Sequence, residues 1–112
     1  GQTRLPIKVS VDATCVLPSD VRMAYYRITQ EALNNIVKHS RATQAEVSLI
    51  CEAGLIELSI TDNGVGFNPQ SVSSHRLGLD IMRERAKNIA AEFEIQSEPG
   101  RGTSVSVIWQ EQ

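Results

Sequence analysis

The sequence predicts an α+β fold of two layers, in which two helices pack against a sheet of about five strands. Three observations predict it: several short segments alternate apolar and polar residues, two longer segments have helical spacing, and two pairs of strands are joined by short turns. The chain has 112 residues, of which 41% are hydrophobic, and this is enough to bury one core. We therefore interpret residues 1–112 as a single domain.

The first strand and the first helix are predicted from residue periodicity. Residues 6–12 form a strand because Ile7, Val9 and Val11 alternate with polar residues. The helix is predicted to run from about residue 20 to residue 40, with Ser19 as its N-cap. The apolar residues expected to enter the core from this helix are Tyr25, Tyr26, Ala32, Leu33, Ile36 and Val37.

A β-hairpin is predicted to follow the long helix. Alternate apolar residues from Ala45 to Cys51 indicate a second strand. Ala53 and Gly54 then turn the chain back into a third strand that ends at Asp62.

The last third of the chain is predicted to hold a loop, a helix and a second hairpin. Residues 68–76 are polar and rich in serine, and we expect a mobile loop there. A helix over residues 77–91 is followed by strands at 93–96 and 103–109, which the turn at 98–102 connects.

Composition excludes several classes of function. The formal net charge is -2, no basic stripe is present and only 4% of the residues are aromatic, so nucleic acid is not an expected partner. Cys15 and Cys51 lie far apart in the sequence and are expected to be reduced thiols of a cytoplasmic domain. No apolar stretch has the length of a membrane span. The chain begins abruptly, and we expect it to be a piece of a longer protein that a membrane segment elsewhere could anchor.

Asp62 is the first candidate functional residue, because the strand pattern places it on the core-facing side. A carboxylate on that side is costly unless something hydrogen-bonds to it. Gly64 and Gly66 follow, and glycines permit a tight backbone and the close approach of a bound group. A buried acceptor beside a glycine turn suits the exocyclic amine of adenine. The alternative is an ordinary turn, since Asp-Asn-Gly is common turn chemistry.

The long helix carries a polar stripe. At about 100° per residue, Asn34, Asn35 and Lys38 lie within about 60° of Glu31. Mg²⁺ prefers hard oxygen ligands and leaves positions for phosphates and waters. Asn35 is therefore a candidate direct ligand, Glu31 can hold a coordinating water, and Lys38 can offset phosphate charge. The alternative is the solvated face of an amphipathic helix.

Two further positions suit a nucleotide. Gly78, followed by Leu79, opens the second helix, where free N–H groups and the helix dipole favour phosphate. Thr103 begins the last strand, and its hydroxyl points the same way as Asp62 if that face is the core, so it can reach the same base directly or through a water. The alternatives are a packed helix start and a buried threonine bonded to backbone.

Four ordered segments resemble the nucleotide-binding boxes of bacterial sensor histidine kinases. These are 30–39 (the N box), 62–67 (the G1 box), 75–86 (the G2 region) and 100–105 (the closing Gly-x-Gly-Thr segment). Residues 26–32 and 81–85 are similar to the nitrate/nitrite-sensor and thermosensor branch in particular. Four boxes in order, over nearly the whole chain, are far more specific than any single one.

The resemblance implies the ATP-binding fold shared by histidine kinases, gyrase, the Hsp90 chaperone and mismatch-repair ATPases, with a mixed, mostly antiparallel sheet covered on one face by helices. It implies that Asp62 accepts a hydrogen bond from the adenine amine. Gly64 and Gly66 then shape the pocket floor, and Thr103 completes the base contact.

The resemblance also implies roles on the phosphate side. Asn35 is implied to ligate Mg²⁺, Glu31 to lie behind it and assist the nucleophile as a base, and Lys38 to neighbour the phosphates. His39 is implied to line the mouth of the site. The lid is implied at 68–76, with Gly78 and Leu79 at the phosphates.

The chain departs from the family pattern in the lid. Relatives often carry Gly-His and an aromatic residue before the Gly-containing element, whereas this chain has Ser74-His75-Arg76-Leu77. We expect this change to stiffen the lid or to weaken nucleotide contact.

The sequence has no histidine in the setting of a phosphoacceptor. Its two histidines are His39 and His75, in the N box and the lid. We therefore expect a domain that binds Mg-ATP and delivers the γ-phosphoryl group to a histidine on a linked dimerisation domain, with a response regulator downstream. The chain alone is expected to be monomeric and unable to autophosphorylate, and the parent protein to be a homodimer.

Three alternatives remain open from the sequence. The first is another enzyme of the same superfamily, an ATPase clamp or a serine kinase. The second is a degenerate domain that docks a regulator without using ATP. The third is a redox sensor that acts through Cys15 and Cys51.

Overall fold

The computed structural model describes residues 5–71 and 77–112. In chain order the elements are β1 (Ile7–Val11), α1 (Ser19–Asn35), a π-helical segment (Ile36–Ser40), β2 (Ala45–Glu52), β3 (Leu55–Asp62), α2 (Leu79–Asn88), β4 (Glu92–Ser97) and β5 (Thr103–Gln110). Two helices cover one face of a five-stranded sheet, so the predicted α+β fold of two layers is confirmed.

The sheet is mixed and mostly antiparallel. Its strand order is β1-β2-β3-β5-β4, and β1 pairs with β2 in parallel while the other neighbours are antiparallel. The turn between β2 and β3 places Ala53 and Gly54 at φ of 52° and 79°. Positive φ at both central residues is what a two-residue hairpin of the type I′ class requires. Both predicted hairpins are confirmed.

The core lies between the sheet and the two helices. Alternate residues of the central strands supply one side, among them Ile60 and Val107, which are almost fully buried. Met82 from α2 and Ile28 from α1 supply the other side. Asp62 and Thr103 lie directly opposite each other at the ends of β3 and β5, so the same alternation carries both side chains to the helix-facing side of the sheet.

The first helix has the predicted extent, since the α-helix over Ser19–Asn35 continues as the π-helical segment to Ser40, but its pitch changes at Ile36. Two other predictions about this helix are wrong. Pro18 occupies the N-cap position and no side chain caps the helix, so Ser19 is not the cap. Tyr26 is 57% exposed and Val37 is 68% exposed, because α1 packs through a narrower stripe than predicted and Val37 lies in the wider π turn.

The expectation of two reduced thiols is also corrected. Cys15 and Cys51 form a disulfide, with Cα atoms 5.4 Å apart, within the range that a disulfide requires. The turn after β1, in which the Cys15 N–H donates to the Asp12 carbonyl, folds the chain back against the end of β2. A separation of 36 residues in sequence does not reveal this proximity.

In the part of the chain that is described, neither helix is long and apolar enough to cross a membrane.

Candidate functional site

A cavity of about 320 Å³ opens where the helices meet the ends of β3 and β5. Its apolar lining comes from both layers and includes Ile60, Met82 and Val105. Polar groups enter it at a few points, among them Asn35, Asp62 and Thr103. An apolar cleft with a few convergent polar groups is the usual character of a small-molecule site.

Asp62 presents a hydrogen-bond acceptor to this cavity. Its Oδ1 accepts the Gly64 N–H at 2.7 Å, which fixes the carboxylate plane. No other described group donates to the carboxylate, so Oδ2 is left for a ligand or water. Burial raises the pKa of Asp62 above its ordinary value, and the bond from Gly64 opposes that shift. The site therefore holds a partly desolvated acceptor.

The loop after β3 is clamped between two other backbone segments. The Val65 N–H donates to the Ser40 carbonyl at 2.7 Å, and the Gly100 N–H donates to the Val65 carbonyl at 2.6 Å. A Cβ added to Gly64 would lie 2.7 Å from the Ser40 Cβ and still closer to its carbonyl oxygen. A Cβ on Gly66 would lie 2.9 Å from the Glu98 carbonyl carbon and closer to its oxygen. Both glycines are thus required by close backbone approach.

Asn63 fastens the start of the same loop. Its Oδ1 accepts the N–H groups of Thr43 and Gln44 at 2.9 and 3.0 Å, and its Nδ2 donates to the Thr43 hydroxyl at 2.8 Å. The side chain points away from the cavity and ties the loop to the connection before β2. Asn63 therefore holds Asp62 in place from the outside.

Asn35 lies at the junction between α1 and the π-helical segment. Its Nδ2 donates to the Leu77 carbonyl, which leaves the amide oxygen as the atom available to a ligand. Ser40 closes the segment by donating to the Ile36 carbonyl at 2.7 Å and accepting the Ala42 N–H at 3.1 Å. A π turn inside a helix is frequent at functional sites. Here it allows His39, one residue before Ser40, to line the cavity.

Glu31 and Gly78 meet beside the cavity. Gly78 has φ of 63° at the N-cap of α2, and a Cβ there would lie 2.7 Å from the Glu31 Cδ. The glycine thus lets the start of α2 approach the α1 carboxylate. Leu77 and Leu79 on either side line the cavity, whereas Gly78 and Glu31 do not.

The structure brings most of the residues predicted for the site together. Those that line the cavity are Asn35, His39, Asp62, Gly66, Leu79 and Thr103. Gly64, Gly78 and Glu31 are in the surrounding wall. Lys38 is exposed and does not line the cavity. The predicted lid is described up to Ser71, and residues 72–76, with the departure at Ser74 and Arg76, lie outside the described residues.

Several residues of the site were missed from the sequence. Ile60 and Val105 were predicted only as core, although they share a strand face with Asp62 and Thr103. Met82 follows Leu79 by three positions on α2, and this helical spacing could have found it. No sequence pattern indicated that Ser40 lines the cavity, because its position depends on the π turn. Ser97 was also missed, since nothing in the sequence indicates the contact of its hydroxyl with Phe67, which is 30 positions away.

A pair of hydroxyl groups lies beside the cavity, joined to it through Thr103. The Ser97 Oγ lies 2.8 Å from the Thr103 Oγ1. The same Ser97 oxygen accepts the Phe67 N–H at 2.8 Å and donates to the Gly102 carbonyl at 3.1 Å. Phe67 and Thr103 both line the cavity.

The donor set fits a metal held jointly with phosphates. Within residues 5–71 and 77–112, no group of three or more His, Cys, Asp or Glu side chains is placed to hold a metal ion. The amide oxygen of Asn35 and the carboxylate of Glu31, one helical turn earlier, are hard oxygen donors of the kind that Mg²⁺ prefers, and they would leave most of its coordination positions to phosphates and waters.

Residues 20–112 match the family model of the histidine kinase-, DNA gyrase B- and HSP90-like ATPases. The chain belongs to this family. The match covers both helices, four of the five strands and every predicted site residue.

Sensor kinases are among its relatives. The chain is 39% identical over 107 residues to the sensor protein VraS of Staphylococcus haemolyticus and 38% identical to that of Staphylococcus aureus. In each case the match covers 95% of this chain and 31% of the relative, so the chain spans about a third of the length of these relatives. The resemblance to the ATP-binding domain of a sensor histidine kinase is confirmed.

Solved histidine kinase structures share the fold. A blue-light activated histidine kinase of Erythrobacter litoralis EL346 superposes with a TM-score of 0.83 at 21% identity, over 98% of this chain and 36% of that chain. The mycobacterial sensor histidine kinase MprB superposes with a TM-score of 0.73 at 22% identity, over 95% of this chain and 81% of that chain.

Proposed function

We propose that this domain binds Mg-ATP in the cavity and delivers the γ-phosphoryl group to a histidine on a linked dimerisation domain of a sensor kinase. The observation that carries the proposal is the Asp62 carboxylate, which lines the cavity and whose Oδ1 is fixed by Gly64 while Oδ2 is left for a ligand. A planar base with an exocyclic amine fits such an acceptor. Ile60, Met82 and Val105 would contact the faces and edges of the ring.

The phosphates are proposed to extend from the base toward the π-helical segment and the start of α2. Asn35, through its amide oxygen, and Glu31, through water, would hold Mg²⁺, which offsets phosphate charge when bound. Gly78 and Leu79 would contribute backbone N–H groups at the N-terminus of α2, where anions are favoured. Lys38, being exposed, would approach the phosphates from the solvent side.

The proposed transfer is an in-line displacement at the γ-phosphorus. An imidazole nitrogen of the acceptor histidine forms the new P–N bond while the bond to the bridging oxygen breaks, and ADP leaves. Glu31 would receive the proton from the acceptor's other ring nitrogen and keep the imidazole nucleophilic. The phosphoryl group would then pass to an aspartate of a response regulator. With these partners, the domain would work in the cytoplasm as part of a longer homodimeric protein.

Calorimetric titration with a non-hydrolysable ATP analogue tests the binding step. Saturable binding that Mg²⁺ strengthens is expected. Asp62→Asn keeps an oxygen for the Gly64 N–H but turns an amide donor toward the adenine amine, so affinity should fall by at least about 30-fold. Asp12→Asn is the matched control, since the Asp12 carboxylate accepts the N–H and hydroxyl of Thr14 and Asp12 does not line the cavity, so affinity should be unchanged.

The metal and the transfer step need separate measurements. Asn35→Ala is expected to retain analogue binding but to lose its enhancement by Mg²⁺. Phosphoryl transfer is measured with ATP and a separately purified helical histidine domain of the same sensor kinase. No binding at millimolar analogue would refute the proposal and favour a docking module that does not use ATP.

A further inference from the structure

Ser97 lies outside the predicted boxes, yet its hydroxyl is the centre of a hydrogen-bond chain that includes two residues of the cavity lining, Phe67 and Thr103. It accepts the Phe67 N–H at 2.8 Å, lies 3.1 Å from the Gly102 carbonyl and 2.8 Å from the Thr103 hydroxyl. Ser97 is half-buried on β4, and Gly102 is buried. The direction of the hydrogens in this chain decides what Thr103 offers to a ligand.

A serine hydroxyl has one hydrogen and two lone pairs. The Phe67 N–H takes one lone pair of Ser97. The Gly102 carbonyl can only accept, and a buried carbonyl left unpaired is costly, so the Ser97 hydrogen points to it. The remaining Ser97 lone pair then accepts the hydrogen of the Thr103 hydroxyl. All three contacts are satisfied in this arrangement alone.

Thr103 is consequently left with lone pairs toward the cavity. Its pairing register sets it directly across from Asp62, whose carboxylate is also an acceptor. Two acceptors side by side match the two N–H groups of an exocyclic amine. A water that bridges Thr103 to the amine would be oriented in the same way. A carbonyl at the same ring position would meet lone pairs from both residues and find no donor.

We propose that Ser97 is a positioning residue that fixes Thr103 as an acceptor and thereby makes the cavity select 6-amino over 6-oxo purine nucleotides. This inference rests on the proposed function, because it concerns the same cavity. Ser97 does not line the cavity, and its effect on the choice of base is exerted through Thr103.

The test compares the dissociation constants of ATP and inosine triphosphate, which share sugar and phosphates and differ in the 6-amino group, replaced in inosine by a carbonyl with a proton on the adjacent N1. The parent chain is expected to bind inosine triphosphate more weakly. Ser97→Ala frees the Thr103 hydrogen to turn toward the ligand. The ratio of the dissociation constant of inosine triphosphate to that of ATP should then fall about tenfold. Ser97→Thr keeps a hydroxyl and should preserve the ratio.

Making Ser97→Ala in a Thr103→Val variant tests whether Ser97 acts by positioning Thr103 or by general loss of structure. Thr103→Val should lower the ratio by itself, and adding Ser97→Ala should change the ratio no further. An unchanged ratio in Ser97→Ala, or an equal further drop in the Thr103→Val background, would overturn the inference. If Ser97→Ala does not fold, an unchanged ratio in Thr103→Val overturns it.

The two proposals fail in different ways. A parent chain that binds ATP but does not discriminate against inosine triphosphate refutes only the role of Ser97. A parent chain that binds neither nucleotide refutes the proposed function and this inference with it.

Discussion

Gly66 and Gly100 form a matched pair of positions for testing how the loop after β3 is held. Both have positive φ, at 64° and 83°. A Cβ at Gly100 meets nothing within 4 Å, whereas a Cβ at Gly66 lies 2.9 Å from both the Glu98 carbonyl carbon and the Gly102 carbonyl oxygen, and closer to the Glu98 oxygen. Alanine at each position therefore separates backbone strain from a steric clash.

The magnitudes follow from these contacts. Gly100→Ala costs only the left-handed conformation, about 1 kcal/mol. Gly66→Ala costs the same strain, and in addition it forces the turn that contains Glu98 away from the loop. That displacement breaks the 2.6 Å bond from the Gly100 N–H to the Val65 carbonyl. The total should be about 3 kcal/mol or more.

Thermal unfolding of the two variants measures the difference. For a domain of this size we expect the Tm to fall by about 4 °C in Gly100→Ala and by about 12 °C in Gly66→Ala. Nucleotide affinity should also fall in Gly66→Ala, because the displaced loop carries Phe67, and it should be retained in Gly100→Ala. Equal changes in Tm would show that strain alone accounts for both glycines and would refute the clamped loop.

Three further predictions concern stability. Asp62→Asn should raise the Tm at neutral pH, because burial raises the pKa of Asp62 and its ionisation therefore favours the unfolded state. The difference in Tm between Asp62→Asn and the parent chain should vanish as the pH falls through that raised pKa. A lower Tm for Asp62→Asn than for the parent chain at pH 7 would contradict this prediction. Reduction of the Cys15–Cys51 disulfide should lower the free energy of unfolding by about 3 kcal/mol in denaturant titrations, and the double Cys→Ser variant should not respond to reductant. Tyr25→Phe removes the donor to the Ile56 carbonyl at 2.7 Å and should cost about 1–3 kcal/mol in the same titrations, with Tyr26→Phe, exposed on the same helix, as the control. A buried environment that raises the pKa of Tyr25 to about 12 keeps this hydroxyl protonated throughout such measurements.

The sheet could be predicted from the sequence because apolar and polar residues alternate along most of each strand. In β3 every second residue from Ile56 to Ile60 is buried, and in β5 Val105 and Val107 are buried. The period of two fixes which side of the sheet Asp62 shares, and no tertiary information is needed for that step. The alternation alone therefore predicts the face on which the carboxylate lies.

The last turn of the first helix was predicted less well, because a helical wheel assumes a constant pitch and the pitch changes there. The spacing predicted a uniform helix through Ser40, but the backbone widens to a π turn at Ile36. No residue between Asn35 and Ser40 is a proline or glycine that would announce the change. The exposure of Val37 and Lys38 follows from that turn and therefore could not be predicted from the sequence.

The contacts that complete the site were also out of reach, because they join residues distant in sequence. Ser40 and Val65 are joined through backbone atoms, which carry no signature of side-chain type. Ser97 reaches Phe67 across 30 positions through a single hydroxyl. Cys15 and Cys51 similarly meet only because the turn after β1 folds back on the sheet.

A cavity that accepts an exocyclic amine requires a partly desolvated carboxylate, and this requirement conflicts with stability. Burial raises the pKa of Asp62, so the ionised form needed for binding weakens the folded state near neutral pH. The surroundings offset this through backbone geometry: Gly64 donates to Oδ1, and Asn63 fixes the adjacent turn. Substitutions at Gly64 and Asn63 should therefore impair folding and binding together, whereas Asp62→Asn should separate the two by stabilising the fold and weakening nucleotide binding.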